Sequence, residues 1–167
     1  MNSFTINSAV ESDVPLLLAM IRELAEFERL THELEVSATS LRAALFGEVS
    51  VAGALIAHAD GDHAGYAIYY HTFSSFAGRI GTFLEDLYVR PKFRKSGIGR
   101  ALLEAVARIS IQRGGGRFEW TALRWNENAL EFYKKIGAKV MDEWALLRVD
   151  GPQVRKLVPA KIKGPND

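Results

Sequence analysis

Residues 80–109 constrain this chain more than any other stretch. An apolar run from Ile80 to Val89 reads as a strand, and a turn rich in Lys and Arg follows it. Ile98, Ala101, Leu102, Ala105, Val106 and Ile109 then recur on one face of a helix, which the glycines at 114–116 stop. A strand that passes through a short turn into an amphipathic helix must lay that helix across a sheet to bury its apolar face. The junction therefore commits the chain to layers of sheet and helix.

The flanking sequence extends the same plan. Residues 1–10 alternate Phe4 and Ile6 with polar positions, as a first strand does. Ser12 or Asp13 can cap a helix that tolerates Pro15 in its first turn and carries Val14, Leu17, Leu18, Ile21, Leu24 and Ala25 at helical spacing. A shorter helix starts near Ser37 or Thr39 and ends at Gly47. Residues 51–59 and 65–72 read as a hairpin closed by Ala59-Asp60-Gly61-Asp62-His63. Beyond the long helix come a strand at 117–123, a helix from Asn126 to Ile136, a strand at 139–149 and a short strand near 153–158. The order βααβββαβαβ predicts an α/β (α+β) fold, a mixed central sheet with helices on both faces. At 167 residues the expectation is one domain over 1–167, with a loose tail from about 160.

Composition narrows the function. Lys and Arg number 21 against 20 Asp and Glu, so no overall field draws the protein to nucleic acid or to a membrane surface. Two tail lysines, Lys161 and Lys163, make a poor case for nucleic acid. Without cysteine there is no disulfide framework, no thiolate metal site and no thiol nucleophile. The four histidines, His32, His58, His63 and His71, share no ligand spacing, so no metal is expected, and Trp120, Trp125 and Trp144 read as core residues. No signal peptide and no apolar run long enough to cross a bilayer is visible, which makes a cytoplasmic location the expectation.

The chemistry concentrates where strand meets helix. Gly97 and Gly99 let backbone approach a ligand closely, and the helix start offers unpaired N–H groups at the positive end of its dipole. Residues 90–100 hold five Lys and Arg and no acid, although the chain as a whole is near neutral. Together these suggest an anion site for a phosphorylated ligand. It is not a Walker A loop, since no Gly-Lys-Ser/Thr closes the glycines. Nor is it a dinucleotide fingerprint, since Leu102 stands where a third small residue is needed. On the glycines alone, a basic surface turn remains an equal reading.

Two blocks carry a resemblance. Arg94-Lys95-Ser96-Gly97-Ile98-Gly99 resembles the acyl-CoA signature of the GNAT N-acetyltransferase superfamily. Trp125-Asn126-Glu127-Asn128-Ala129-Leu130-Glu131-Phe132-Tyr133, running on to Gly137-Ala138, resembles that superfamily's Asn-x-x-Ala-x-x-Phe-Tyr-x-x-x-Gly block. Leu24-Ala25-Glu26-Phe27-Glu28, Tyr69-Tyr70 and Phe83-Leu84-Glu85-Asp86-Leu87-Tyr88-Val89 are similar to the diamine (spermidine/spermine) and thialysine acetyltransferases.

The resemblance implies acetyl-CoA as co-substrate, a small primary amine as acceptor, direct transfer and a homodimer. Tyr133 would be the acid that protonates the departing thiolate, where the residue by itself reads as a half-buried aromatic beside Phe132. Glu85 would meet the amine and act as base, where the bland reading is a structural ion pair. Leu87, Tyr88 and Val89 would hold the pantetheine arm, and Arg94, Lys95, Ser96, Gly97, Ile98, Gly99 and Arg100 the pyrophosphate. Asn126 would contact the co-substrate, cap its helix, or both. Phe27 and Glu28 would line the acceptor site, Phe27 lacking the hydroxyl of the family's tyrosine. Glu85 and Asp86, adjacent in a strand, are expected on opposite faces of the sheet. A protein lysine, an N-terminus or an antibiotic amine as acceptor, and a non-catalytic acyl-CoA-binding module, are the alternatives.

Overall fold

The computed structural model describes residues 3–158, so the tail with Lys161 and Lys163 lies outside the described residues. The elements in chain order are β1 (Phe4–Ser8), α1 (Val14–Glu28), α2 (Ala38–Phe46), β2 (Gly53–Ala59), β3 (Asp62–Ser74), β4 (Arg79–Val89), α3 (Ile98–Gln112), β5 (Arg117–Trp120), α4 (Glu127–Lys135) and α5 (Gly151–Lys156). They divide into two compact units, one running through Thr121 and the other from Ala122.

In the first unit the strands lie in sequence order, β1-β2-β3-β4-β5. Neighbours are antiparallel up to β4, while β5 returns parallel to β4 after the α3 crossover. The mixed sheet is the one expected. Local chemistry accounts for its connections. Asp60 and Gly61, at φ 53° and 77°, make the two-residue turn with positive φ that matches strand twist, so β3 begins at Asp62, earlier than its apolar run suggests. Ser37 and Ser40 cap the start of α2 reciprocally, each hydroxyl accepting from the other's backbone N–H.

Helices cover both faces. Val14, Leu17, Leu18 and Met20 of α1 join Leu41 and Leu45 of α2 over Ala54, Ile56, Tyr66, Ile68 and Tyr88 of the sheet. The alternating positions Leu55, Ala57, Ala67 and Leu84 are buried outside that cluster, on the face where α3 lies against β3 and β4. The predicted stripe of α3 is real: Ile98, Leu102 and Val106 are almost wholly buried.

The second unit corrects three expectations. Residues 138–150 form no strand, although their apolar positions suggested one. A strand needs a hydrogen-bonded neighbour, and within its own described unit this segment has only helices beside it. Residues 151–156 are helical instead of extended, with Pro152 pre-setting φ in the first turn. Trp125 and Trp144 are exposed and are not core residues.

Candidate active site

A bulge in β4 builds the first half of the site. Ile68 pairs with Asp86 and Tyr69 with Leu84, which leaves Glu85 as an extra residue without a partner on β3. An extra residue re-aims the side chains around it. Glu85 and Asp86 therefore line the same cleft, against the expectation from simple alternation. The cleft is about 270 Å³. Its apolar wall is Ile21, Leu24 and Ala25 of α1 with Leu30 and Leu34, and Glu28 and Glu33 complete the lining. Four carboxylates thus face one cavity that no Lys, Arg or His lines.

Its electrostatics follow from crowding and burial. Burial raises the Asp86 carboxyl from an ordinary 3.8 to about 6; the Tyr66 hydroxyl opposes the rise by donating to Oδ2 at 3.0 Å, and the negative charges of Glu85 and Glu28 add to it. Burial likewise raises Glu28. Tyr66 is fully buried, and burial together with the Asp86 charge holds its phenol well above its usual range. Anionic groups held this way gain from an entering cation, which supplies the missing countercharge.

The second half lies where β4 and β5 part. They pair only over residues 81–84 of β4, so the backbone of residues 85–89 has no β5 neighbour. Chain then runs from Val89 through the basic turn into α3. Three of the five cations there are committed to structure. Arg90 grips Glu23 through Nε and Nη2, at 2.9 and 2.7 Å, and donates through Nη1 to the His63 carbonyl. Lys92 pairs with Asp62, and Arg100 with Glu104 one turn on. Among the described residues, only Arg94 and Lys95 of the five have no carboxylate partner.

Arg94 donates to the Val89 carbonyl, and its guanidinium sits 4.6 Å from the centre of the Phe27 ring, so the basic turn touches the end of α1 directly. Gly97 has φ +90° at the N-cap of α3, a conformation that favours glycine. The first intrahelical bond goes from Ala101 N–H to the Gly97 carbonyl, leaving the N–H groups of Ile98, Gly99 and Arg100 for an external acceptor. Side chains are engaged elsewhere: Ile98 and Tyr88 in the core, and Ser96 donating to the Phe93 carbonyl. What this turn offers an anion is backbone, with Arg94 and Lys95 beside it.

Residues 17–138 match the acetyltransferase (GNAT) family. The thialysine N-epsilon-acetyltransferase of Mus musculus is 38% identical over 94% of this chain and 98% of its own length. The chain belongs to the acetyltransferase (GNAT) family. An L-ornithine N5-acetyltransferase of Arabidopsis thaliana is 28% identical over 91% of this chain and 86% of its own. Among solved structures, an integron cassette protein from the mobile metagenome of V. cholerae superposes with a TM-score of 0.78 at 27% identity, covering 95% of this chain and 99% of its own.

The chain is thus an N-acetyltransferase, and its second sequence block occupies α4. Asn126 caps that helix, its Oδ1 accepting from the Ala129 N–H at 3.2 Å. Tyr133 follows seven residues later on the same half-buried face, its ring 5.2 Å from that of Phe132. In this acetyltransferase, sequence reasoning found Glu28 and Glu85 but not Asp86 or Glu33 as members of the acidic cleft, nor Tyr66 as the donor behind Asp86. Glu33 had a faint signal, since residues 11–35 hold seven carboxylates against only two arginines. Asp86 and Tyr66 had none, because a bulge is a property of two paired strands.

Proposed function

We propose that this N-acetyltransferase transfers an acetyl group from acetyl-CoA directly to a primary amine of a small cationic molecule, of the diamine or thialysine kind. One observation carries the reading: four carboxylates, Glu28, Glu33, Glu85 and Asp86, line one cleft whose lining includes no Lys, Arg or His. Thialysine and ornithine, named for two relatives, are both cationic amines, which supports the same acceptor class. A neutral peptide would gain little from such a cavity.

The residues of the basic turn fit acetyl-CoA. Free N–H groups at the start of α3, with Arg94 and Lys95, suit a pyrophosphate, and the backbone edge of residues 85–89 that has no β5 neighbour suits the amide groups of a pantetheine arm. Acetyl-CoA supplies the activated acetyl thioester. An alkyl ammonium has a pKa near 10, so a bound amine must lose a proton before it can attack. Glu85 and Asp86 hold the ammonium, and Glu85 accepts that proton directly or through water. Glu28 binds a second positive charge further along the substrate, with Phe27 at the rim. Tyr133 donates a proton to the departing thiolate, and Asn126 contacts the co-substrate besides capping α4.

The family match runs through the boundary at Thr121, which supports one acetyltransferase domain built from both units. The reading includes the family expectations of a homodimer, checked by sedimentation, and of a cytoplasmic location. Among the described residues no helix is long and apolar enough to cross a membrane.

Release of CoA thiol, measured against putrescine, spermidine, thialysine, lysine, an aminoglycoside and a lysine peptide, tests the proposal. Turnover on a diamine or thialysine, strongly reduced in Glu85→Gln and Tyr133→Phe, is expected. Turnover confined to the peptide or the aminoglycoside overturns the acceptor class, and undiminished turnover in Tyr133→Phe overturns the assignment of the acid.

A further inference from the structure

We propose that Tyr66 is a positioning residue for the acceptor amine: its buried hydroxyl pins Oδ2 of Asp86, so that Oδ1 is presented to the entering ammonium. The inference rests on the acceptor reading above. Its starting point is an anomaly of the core. Tyr66 is the largest of the fully buried side chains, lying between the sheet and α1 among Ile56, Ile68 and Tyr88. A phenol in such a place costs stability unless its hydroxyl is satisfied. The partner is not a backbone carbonyl of the core but Asp86, a carboxylate of the cleft. No other hydrogen bond reaches the Asp86 carboxylate among the described residues, so Oδ1 has no partner among them.

Register explains why the pair meets. Tyr66 pairs with Tyr88 and Ile68 with Asp86, so Tyr66 and Asp86 share one face of the sheet, diagonally across the β3–β4 ladder. A phenol ring is rigid, and this one is packed on all sides, so its hydroxyl oxygen is fixed. That hydroxyl reaches the cleft through Asp86, which lines it.

Every other ionisable group facing Asp86 is acidic: Glu85 on its own strand, Glu28 from α1, and Glu33 from the turn after it. Tyr88 beside Tyr66 is directed to Glu23 and sits under Arg94, and so gives Asp86 nothing. Burial and these like charges favour the protonated acid, and the Tyr66 hydrogen bond is what opposes them. Tyr66 therefore keeps Asp86 both aimed and ionised toward an ammonium it never touches.

Tyr66→Phe keeps the ring, and with it the core, while removing the hydroxyl. Wild type and Tyr66→Phe are compared with acetyl-CoA and thialysine or putrescine from pH 5.5 to 9. The expected result is an amine KM raised about tenfold near pH 6.5, the loss of one charge-assisted hydrogen bond. The acetyl-CoA KM stays unchanged, and the acidic limb of kcat/KM moves to higher pH. In an Asp86→Asn background the same change moves neither quantity further, because the group it acts through is gone.

A folded Tyr66→Phe with wild-type amine KM and an unmoved acidic limb overturns the inference and leaves the acceptor reading intact. Equal losses for both substrates, at every pH, also overturn it, since they indicate a damaged core. Failure of wild type to use either amine overturns the acceptor reading, and this role for Tyr66 with it.

Discussion

Replacing Asp86 by Asn should make this protein more stable at neutral pH while it loses activity. The sign follows from linkage. The folded-state pKa of Asp86, about 6, lies above its ordinary 3.8, so the native state binds this proton more tightly than the unfolded chain does. Its contribution to stability is fully present below pH 4 and is lost as pH rises through 6. This is the reverse of the usual paired carboxylate. A shift of about two pH units corresponds to about 3 kcal/mol. Asn has nearly the same shape and cannot titrate. The stability of Asp86→Asn minus that of wild type should therefore grow by about 3 kcal/mol between pH 4 and pH 8. On a thermal scale that is roughly 6–12 °C for a chain of this size.

Urea and thermal unfolding of both proteins at each pH unit from 4 to 8 provide the measurement. The slope of free energy against urea should be the same for the two, so that midpoints report stability alone. Glu28, raised by burial, remains in both proteins, and its contribution largely cancels in the difference. A difference that stays constant, or shrinks as pH rises, refutes the reasoning, because the Asp86 carboxyl would then not be raised in the fold. Activity on an amine should fall in the same variant, since the charge that destabilises the empty cleft is the one that holds the ammonium.

Gly97→Ala tests the anion site through backbone alone, because a Cβ built there meets nothing within 4 Å while φ is +90°. It should cost about 1 kcal/mol or more in stability and raise the acetyl-CoA KM with little change in the amine KM; Michaelis constants for the two substrates decide. Leu17→Ala, in the wholly buried stripe of α1, should cost about 2–5 kcal/mol by urea unfolding. A cost below 1 kcal/mol would mean that α1 is not pinned to the sheet as described.

Much of the fold is written in short-range pattern. The stripe of α3 and the Asp60-Gly61 turn are local statements, set by side-chain period and by residues that accept positive φ, and both hold in three dimensions. The strand at 139–149 was misread for a reason of the same kind. Its apolar residues describe a segment able to be a strand, but strand formation needs a neighbour that lies outside the segment.

The acetyltransferase family, its two signature blocks and the charge of its basic turn were therefore legible in the residues themselves, because local chemistry sets them. Tertiary structure alone decided which charges are free. It committed Arg90 to Glu23, Lys92 to Asp62 and Arg100 to Glu104, leaving Arg94 and Lys95 beside the helix start. It also turned Glu85 and Asp86 into one cleft and set Tyr66 beneath them, through a bulge that exists only when β3 and β4 are paired. Register is a relation between strands, and no reading of one strand contains it.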